Sequence, residues 1–482
     1  MRSIFTGLQL AFTAALIGIF PGSTSLNHGQ HDGLNIITRD VAIIGGGSTG
    51  TYAAIKLIDQ GHSVIVVEAT DRLGGHTETY HDPATGGRID IGVEVFHDTD
   101  VVKKYFGHFN IELAKRHLFS AEGEIPTTNV NFAAGQLAES FVPPPPEDSR
   151  AAMQAYAYIL SKYGYLKGGF DLPNPVPEEL LIPFGEFVEK NGLQAMVQIA
   201  FGIGQGLGDI LTLPTIYMMQ IFGLDVLMNI QNGFLTTARG DNSEIYEKAT
   251  VELLAKNSVL FNSRVSCADR NKRDKDGYLS VTIRTGNSPN GKVIRAKQIL
   301  ITIPPTLETL APFNLDATEK SIFGRFKWVS YLTGILKNVG IPSNTNFANV
   351  NPANKYGLPK LPGLYGLYAT IVPGLTALKY ASTTRVSQRD AKKDILDTVA
   401  QLRRNKVITG AKEKPEFVAF AVHSPFELTV ERADIEGGFY RRMYGLQGKR
   451  GTWWTGAAWF VQDSSLLWEF TERVLVRLMK EL

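Results

Sequence analysis

A glycine-rich turn between an apolar strand and a helix is the feature that most constrains the fold of this chain. Residues 40–44 are rich in β-branched side chains, and residues 48–60 carry apolar residues at helical spacing before Gly61. The turn has the pattern GxGxxG and consists of Gly45, Gly46, Gly47, Ser48, Thr49 and Gly50. Because a second apolar strand follows at residues 63–67, the segment predicts a βαβ unit of about 30 residues.

Each part of this unit suits the binding of a dinucleotide. Gly45 permits the tight turn, Gly47 lets the backbone approach a pyrophosphate, and Gly50 lets strand and helix pack closely. The start of the helix offers free N–H groups and a partial positive charge. Glu68 ends the second strand about 20 residues after the glycines, where its carboxylate can accept hydrogen bonds from an adenosine ribose. The alternative is a glycine-rich turn beside a surface glutamate, and the pattern alone does not separate FAD from NAD.

The segment that follows Glu68 favours FAD. Residues 71–77, DRLGGHT, resemble the RxGGR segment of the flavin-containing amine oxidoreductase superfamily. Arg72, Gly74 and Gly75 match that segment, and His76 stands in place of its second arginine. The resemblance implies that FAD is the cofactor and that this segment lies beside it. We therefore expect the contact that the superfamily's arginine makes near the pyrophosphate and flavin to differ here.

The resemblance continues over most of the remaining chain. Residues 88–92 look like the superfamily's DxG strand, and residues 299–305 look like its apolar strand that ends in two prolines. Val265 matches a position whose backbone holds the adenine. Gly456 and Ala457, which precede a predicted helix, look like the last flavin-binding element.

A narrower similarity is to β-cyclopiazonate dehydrogenase and related FAD-dependent oxidoreductases of fungal secondary metabolism. It is carried by residues 74–79, 446–448, 455–458 and 462–468. Asp463 or Ser464 can cap the last helix, predicted over residues 463–480. The first N–H groups of that helix would then face the flavin pyrimidine ring, where charge develops on reduction. The alternative is an ordinary capped surface helix.

The resemblance implies an α/β fold in which a Rossmann-type FAD-binding lobe is interleaved with an α+β substrate-binding lobe, as in amine oxidases. We expect the FAD-binding lobe to comprise residues 38–98, 230–305 and 410–482. The substrate-binding lobe would comprise residues 99–229 and 306–409.

Two further segments are predicted to be connections. The proline run at 143–146 and the polar residues 147–149 after it are not expected to form helix or central strand. The glycine-rich stretch 202–208 misses the GxGxxG register and has no clear strand before it, so it is interpreted as a loop or a close approach of two helices.

Few catalytic side chains are expected, because flavin performs most of the oxidation chemistry. Lys327 is a candidate for the lysine that many amine oxidases place near flavin N5 through a water, and the alternative is a surface lysine at the start of a strand. His97 follows the DxG strand and could contact substrate, or it could be a loop histidine bonded to local backbone.

The predicted function is an FAD-dependent oxidoreductase that acts on a C–N or C–H bond of a small organic substrate, such as an amine or an indole alkaloid, in secondary metabolism. Since only one dinucleotide fingerprint is present, the electrons are expected to pass to oxygen or another acceptor. The alternatives are a prenylcysteine lyase-like flavoprotein and a flavoprotein whose FAD is structural.

The mode of flavin attachment is constrained by cysteine and histidine. Cys267 is the only cysteine, so no cysteine lies near the C-terminus to link the flavin. His76 could bond to the flavin methyl group, with His97 as the second candidate. The simpler expectation is that His76 hydrogen-bonds the pyrophosphate or packs against its neighbours.

The composition of the chain indicates which partners the protein is expected to lack. The 49 basic and 47 acidic side chains nearly balance without a long basic block, so we expect no nucleic acid partner. No cysteine–histidine metal spacing or HExxH motif is present, so no metal is expected.

The N-terminus predicts a signal peptide over residues 1–25 and secretion, with no membrane span after cleavage. The prediction rests on Arg2, the apolar run 8–20 and the small residues 23–25. The alternative is an uncleaved signal anchor.

Overall fold

The βαβ unit predicted at the glycine-rich turn is present in the computed structural model of the chain, which describes residues 35–118, 125–286, 291–342 and 344–482. The predicted signal peptide lies outside the described residues. The strands of the described part are β1 (Asn35–Ile44), β2 (Val64–Val67), β3 (Thr79–His81), β4 (Arg88–Asp90), β5 (Leu113–Arg116), β6 (Thr127–Asn131), β7 (Gln136–Leu137), β8 (Phe234–Thr237), β9 (Val259–Leu260), β10 (Ser263–Asp269), β11 (Leu279–Thr285), β12 (Lys292–Ile301), β13 (Lys327–Lys337), β14 (Asn346–Asn349), β15 (Gly363–Ala369), β16 (Leu375–Ser382), β17 (Glu416–Thr429) and β18 (Thr452–Trp454).

The α-helices of the same residues connect and cover these strands. They are α1 (Ser48–Asp59), α2 (Asp100–His108), α3 (Pro146–Ser161), α4 (Glu178–Leu181), α5 (Phe184–Lys190), α6 (Val197–Ile203), α7 (Thr215–Ile221), α8 (Leu224–Asn232), α9 (Glu244–Ala255), α10 (Ala317–Phe323), α11 (Gln388–Arg404), α12 (Arg432–Glu436), α13 (Phe439–Tyr444) and α14 (Ser464–Met479). None of the described helices is long and apolar enough to cross a membrane.

The first large sheet has the βαβ unit at its centre. Its strand order is β10-β11-β12-β1-β2-β9, and β18 also pairs with β12. β1 runs parallel to β12 and β2, whereas β10, β11 and β12 form an antiparallel extension. Residues 41–44 of β1 and all of β2 are buried, because strands inside a parallel sheet are covered on both faces. The predicted α/β fold is confirmed.

The second large sheet is mostly antiparallel and has the order β17-β13-β16-β15-β14-β6-β7. On one of its faces, Leu336 of β13 and Leu378 of β16 pack with Ile395 and Val399 of α11 in a separate hydrophobic cluster. α11 buries only one stripe of side chains, which fits an amphipathic helix laid on a sheet. α11 does not cover the opposite face of this sheet.

The division of the chain into two lobes stays a prediction, and the pairing of one strand bears on it. Residues 410–482 are expected to belong to the FAD-binding lobe, whereas β17, which lies in that range, pairs with β13 along the second sheet. An apolar strand pattern indicates a strand but does not say which sheet receives it, because the pairing partner is distant in the chain.

The proline run also differs from its prediction. α3 begins at Pro146 and contains residues 147–149, which were expected to lie outside a helix. Proline is accepted at the first helical position, because the N–H group it lacks would have no partner within the helix.

Candidate active site

A cavity of about 470 Å³ is lined by residues that directly follow strands of the first large sheet, by residues in strands of the second large sheet, and by residues of nearby helices and loops. Most of the residues that the sequence singled out lie in its wall. These are Gly45, Gly47, Ser48, Thr49, Glu68, Gly74, Gly75, His76, His97, Gly456, Ala457, Asp463 and Ser464. Segments that are far apart in the chain therefore meet at one site.

The glycine turn leaves an open cradle at the start of α1. A Cβ atom on Gly47 would have only the Cα of Gly75 within 4 Å, at 3.9 Å. Gly47 is also the N-cap of α1 and offers no side chain to satisfy the first N–H groups of the helix. Uncovered N–H groups at a helix start attract anionic groups such as a pyrophosphate.

The other two motif glycines serve packing. A Cβ on Gly50 would lie 1.9 Å from the carbonyl oxygen of Gly45, so only glycine lets α1 approach the turn this closely. Gly45 itself has a φ of +105°, a region that favours glycine. These geometries match the roles predicted for both residues.

Glu68 is held in place at the end of β2. Its Oε2 accepts a hydrogen bond from the Gly46 N–H at 2.7 Å, and its Oε1 accepts from the Thr70 N–H at 2.8 Å. The carboxylate thus lies beside the glycine turn and lines the cavity. This placement fits the predicted contact with an adenosine ribose.

Arg72 braces the following loop and is not part of the cavity wall. Its guanidinium donates to the carbonyl oxygens of Gly75 at 2.9 Å and Thr77 at 3.0 Å, and it pairs with Glu78 at 2.9 Å. The Gly74 N–H donates to the Gly46 carbonyl at 2.9 Å, which fastens the loop to the glycine turn. Arg72 therefore positions the loop that carries His76.

His76 presents an imidazole to the cavity. Its ring lies 4.7 Å from that of His423 and 5.8 Å from that of Phe426, and it makes no hydrogen bond to another described residue. Burial, together with the charge of Arg72, lowers the pKa of His76 to about 4. The ring is therefore neutral near neutral pH, and its nitrogens are available to a bound cofactor.

The last helix begins at the same cavity. Asp463 is its N-cap, and the carboxylate accepts a hydrogen bond from the Leu466 N–H at 2.9 Å, so the predicted cap is confirmed. Gly456, with a φ of +106°, and Ala457 lie in the turn before the helix and line the cavity. α1 and α14 thus both point their N-termini into this space.

His97 is almost fully buried and is tied to α14. Its Nε2 lies 3.3 Å from Oδ2 of Asp463, and its Nδ1 lies 2.9 Å from Nδ2 of Asn229. The Asn229 amide is oriented by the Asp98 N–H, which donates to its oxygen, and by the Asp225 carbonyl, which accepts from its nitrogen. Asn229 must therefore donate to Nδ1.

This geometry assigns the tautomer of His97. Burial favours the neutral ring, and the Asp463 carboxylate acts against burial and raises the pKa of His97. The N–H that Asn229 donates to Nδ1 is compatible only with a ring that carries its proton on Nε2. We assign the neutral ring with the Nε2 proton facing Asp463. His97 accordingly bonds to specific neighbours, in addition to lining the cavity.

Five predicted site residues are not in the cavity wall, and three of them, Gly46, Gly50 and Arg72, support it from behind. Lys327 is two-thirds exposed at the start of β13 and pairs with Glu431, so the prediction of a lysine near the flavin is wrong for this residue. Val265 lies in β10 and is not in the cavity wall. Gly46 and Gly50 lie behind the wall and support it through the contacts described above.

The wall contains residues that sequence analysis missed. Tyr331, Lys379, His423 and Phe426 come from the second sheet, and Glu94 comes from the loop after β4. The glycine-rich stretch also reaches the cavity through Gly202, Ile203 and Gln205. A lysine inside an otherwise apolar strand pattern was the available signal for Lys379, but strand pairing decides whether such a residue faces solvent or a cavity.

The residues present fit FAD. One continuous wall carries four features that suit the cofactor. They are the open cradle at Gly47, the hydrogen-bonded carboxylate of Glu68, the ring of His76, which makes no hydrogen bond to another described residue, and the start of α14. In FAD the pyrophosphate lies between the adenosine ribose and the flavin. The cradle at Gly47 suits the pyrophosphate, Glu68 suits the ribose, and the start of α14 suits the flavin.

Comparison with known proteins supports the same assignment. The family described as flavin containing amine oxidoreductase matches residues 49–321. An FAD-dependent oxidoreductase of Cochliobolus heterostrophus is 36% identical, over 92% of this chain and 92% of that protein. A β-cyclopiazonate dehydrogenase of Aspergillus flavus is 34% identical, over 96% of this chain and 98% of that protein.

Solved structures share the fold. A fatty acid isomerase of P. acnes that produces CLA superposes with a TM-score of 0.72 at 17% identity, over 91% of this chain and 98% of that one. A putrescine oxidase bound to putrescine has a TM-score of 0.62 at 15% identity, over 92% and 100%. At these identities the likeness concerns the fold alone.

Proposed function

The chain belongs to the family of flavin containing amine oxidoreductases and uses FAD, and we propose that it oxidises a C–N or C–H bond of a small amine-like or indole-alkaloid-like substrate in secondary metabolism. Electrons would pass to oxygen or another acceptor. The observation that supports this most is the shared cavity, whose wall contains both the dinucleotide cradle and an apolar, aromatic surface. A cofactor and an organic substrate can therefore be held against each other.

When bound, FAD accepts the electrons of the oxidation, which is chemistry that no side chain supplies. The residues proposed to hold it are Gly47 and Ser48 at the pyrophosphate, Glu68 at the ribose, and Gly456 and Ser464 near the flavin end. Arg72 and Asp463 position the loop and helix that carry these contacts.

The substrate is proposed to lie against the second sheet. Tyr331, His423 and Phe426 form an aromatic surface, with ring centroids 5.7 Å apart for Tyr331 and His423 and 5.1 Å for Tyr331 and Phe426. Such a surface suits a flat apolar substrate and excludes water from the reacting bond.

The test is a substrate screen on the FAD-loaded protein. Anaerobic loss of the flavin absorbance and aerobic release of hydrogen peroxide are measured with panels of amines, indoles and thioethers. We expect amines or indoles to reduce the flavin. Reduction by thioethers alone would favour a prenylcysteine lyase-like activity and contradict the proposal.

We also propose that residues 1–25 direct the protein to the secretory route. Arg2 and the apolar run at 8–20 support this proposal. Expression of the full chain in a fungal host, followed by N-terminal sequencing of protein from the medium, tests it. Recovery of the intact chain only from inside the cells would contradict it.

A further inference from the structure

A partly buried ion pair, Lys379 with Glu94, lies in the part of the cavity that the proposed cofactor contacts do not use. The register of the second sheet places Thr333 of β13 opposite Lys379 of β16, and Tyr331 opposite His423 of β17. Residues that pair directly across antiparallel strands share one face. Lys379 therefore lies on the cavity face with Tyr331 and His423, while Leu378 beside it packs on α11.

Lys379 is held by a carboxylate that it shares with a second cation. Its Nζ lies 2.7 Å from Oε1 of Glu94, and the guanidinium of Arg116 lies 3.9 Å from the other oxygen of Glu94. Burial alone would raise the pKa of Glu94, but Lys379 and Arg116 hold that pKa below its ordinary value. Lys379 and the more exposed Arg116 thus share the Glu94 carboxylate, and the nearby acid that interacts with Glu94 is Asp90, whose pKa burial raises to about 7.

The other ionisable groups of the described cavity wall are already engaged. Glu68 accepts hydrogen bonds at the glycine turn, and Asp463 pairs with His97 and caps α14. Burial lowers the pKa of both His76 and His423, so these rings are neutral near neutral pH. Within the described residues, the wall offers no unpaired carboxylate to a substrate ammonium group.

An unpaired buried acceptor lies near the same lysine. The side-chain nitrogen of Gln205 donates to the hydroxyl of Tyr368 at 3.2 Å, and Nζ of Lys379 lies 5.6 Å from the Tyr368 ring centre. The side-chain oxygen of Gln205 is buried and has no hydrogen-bond partner among the described residues. A buried polar atom without a partner is costly, and Gln205 lines the cavity, so a rotation of its side chain that turns this oxygen toward the cavity would let it accept from an N–H or O–H group of a ligand.

We propose that Lys379 determines substrate specificity by donating a hydrogen bond to an acidic oxygen of the substrate, such as a carboxylate or an enolate, while Gln205 accepts from a substrate N–H or O–H group. The proposal rests on the proposed function and narrows it to substrates without a free ammonium group. An ammonium ion would enter an apolar cavity whose wall carboxylates are already paired, beside the positive charge of Lys379, and nothing would offset its loss of hydration.

The experiment compares two ligands of similar shape and opposite charge. Benzoate and benzylamine are titrated into the FAD-loaded full-length protein, with calorimetry as the binding readout and flavin absorbance as a separate readout of the cofactor. We expect benzoate to bind at least about ten-fold more tightly than benzylamine. Tighter binding of benzylamine would overturn the proposal.

Substitutions separate recognition from a structural role. Lys379→Met should weaken benzoate binding by about ten-fold or more, whereas Glu94→Gln should preserve or tighten it, because the net positive charge increases. A merely structural ion pair would make both variants weaker, and that result would also overturn the proposal. The matched control is Lys393→Met, which removes an exposed lysine paired with Asp397 and should leave benzoate binding unchanged.

The design remains informative if a variant folds poorly or the cofactor assignment fails. If Lys379→Met reduces the yield of folded protein, the double variant E94Q/K379M removes both partners of the pair and should weaken benzoate binding likewise. Unchanged benzoate binding in that variant would contradict the role of Lys379. A protein without flavin absorbance would instead count against the proposed function, since calorimetry still reports binding at Lys379.

Discussion

Ser48 and Ser464 are 416 residues apart in the chain, yet the hydroxyl of Ser48 donates a hydrogen bond to that of Ser464 at 3.0 Å. The indole N–H of Trp468 donates to the Ser48 hydroxyl, also at 3.0 Å. The first turns of α1 and α14 are thereby joined, so the cradle proposed for the pyrophosphate and the helix proposed for the flavin end form one surface.

Gly47→Val is expected to abolish retention of FAD without unfolding the chain. The new side chain would enter open space in the apo protein, because only the Gly75 Cα lies within 4 Å of its Cβ, but it would occupy the space of the pyrophosphate. We expect the flavin-to-protein absorbance ratio after gel filtration to fall by about ten-fold or more. Gly107→Ala, at a glycine with no close neighbours in α2, is the control and should keep its flavin. Full flavin content in Gly47→Val would show that the cofactor site is misassigned.

Lys327→Ala is expected to leave turnover and flavin content within about two-fold of the parent protein. Its side chain is two-thirds exposed and pairs with Glu431 away from the cavity wall, and surface ion pairs contribute about 0–1 kcal/mol. Steady-state kinetics with any substrate found in the screen measures the effect. A loss of catalytic rate of about a hundred-fold would restore Lys327 as a catalytic residue.

Acidification is expected to destabilise the protein partly through His76. The unfolded chain takes up a proton at a histidine near pH 6.5, whereas the folded state does so only near the lowered pKa of about 4. The contribution of His76 to the free energy of unfolding is therefore fully present above about pH 6.5 and is lost as the pH falls toward 4. Between pH 7 and pH 5 the free energy of unfolding falls by up to about 2 kcal/mol through this residue.

Urea unfolding of the parent protein and of His76→Asn at these two pH values tests this expectation. The variant should lose less free energy of unfolding on acidification, although His423 acts in the same direction and keeps part of the dependence. Equal pH dependence in both proteins would show that His76 is not protected from protonation.

Glu319→Ala is expected to lower the free energy of unfolding by about 3–5 kcal/mol, because it leaves buried positive charge without a partner. Both oxygens of Glu319 accept from Arg270, at 2.7 and 2.8 Å, and one also accepts from Arg450 at 2.7 Å. Asp397→Ala removes an exposed carboxylate and is the matched control. A change below about 1 kcal/mol, measured by chemical denaturation, would show that the charges are solvated more than their burial indicates.

The parts of the site that local chemistry determines were predictable from sequence. Gly45, Gly50 and Asp463 act within a few residues of their partners, so turn and cap rules were sufficient. The substrate wall was not predictable in the same way. Lys327 and Lys379 both lie in strands of the second sheet, and the local sequence around each lysine does not indicate which of the two faces the cavity. That choice depends on the pairing of β13 with β16 and β17, which joins residues far apart in the chain.

The meeting of α1 with α14 has a consequence for biosynthesis. During translation the start of α14 is made 416 residues after the start of α1, so the two helix starts cannot meet until that whole stretch has been made. A nascent chain can form the βαβ unit with its cradle before the start of α14, which holds the flavin end, has been made. Loading of the cofactor is therefore a late event, and a chain interrupted before Ser464 would be released without the surface that holds the flavin end.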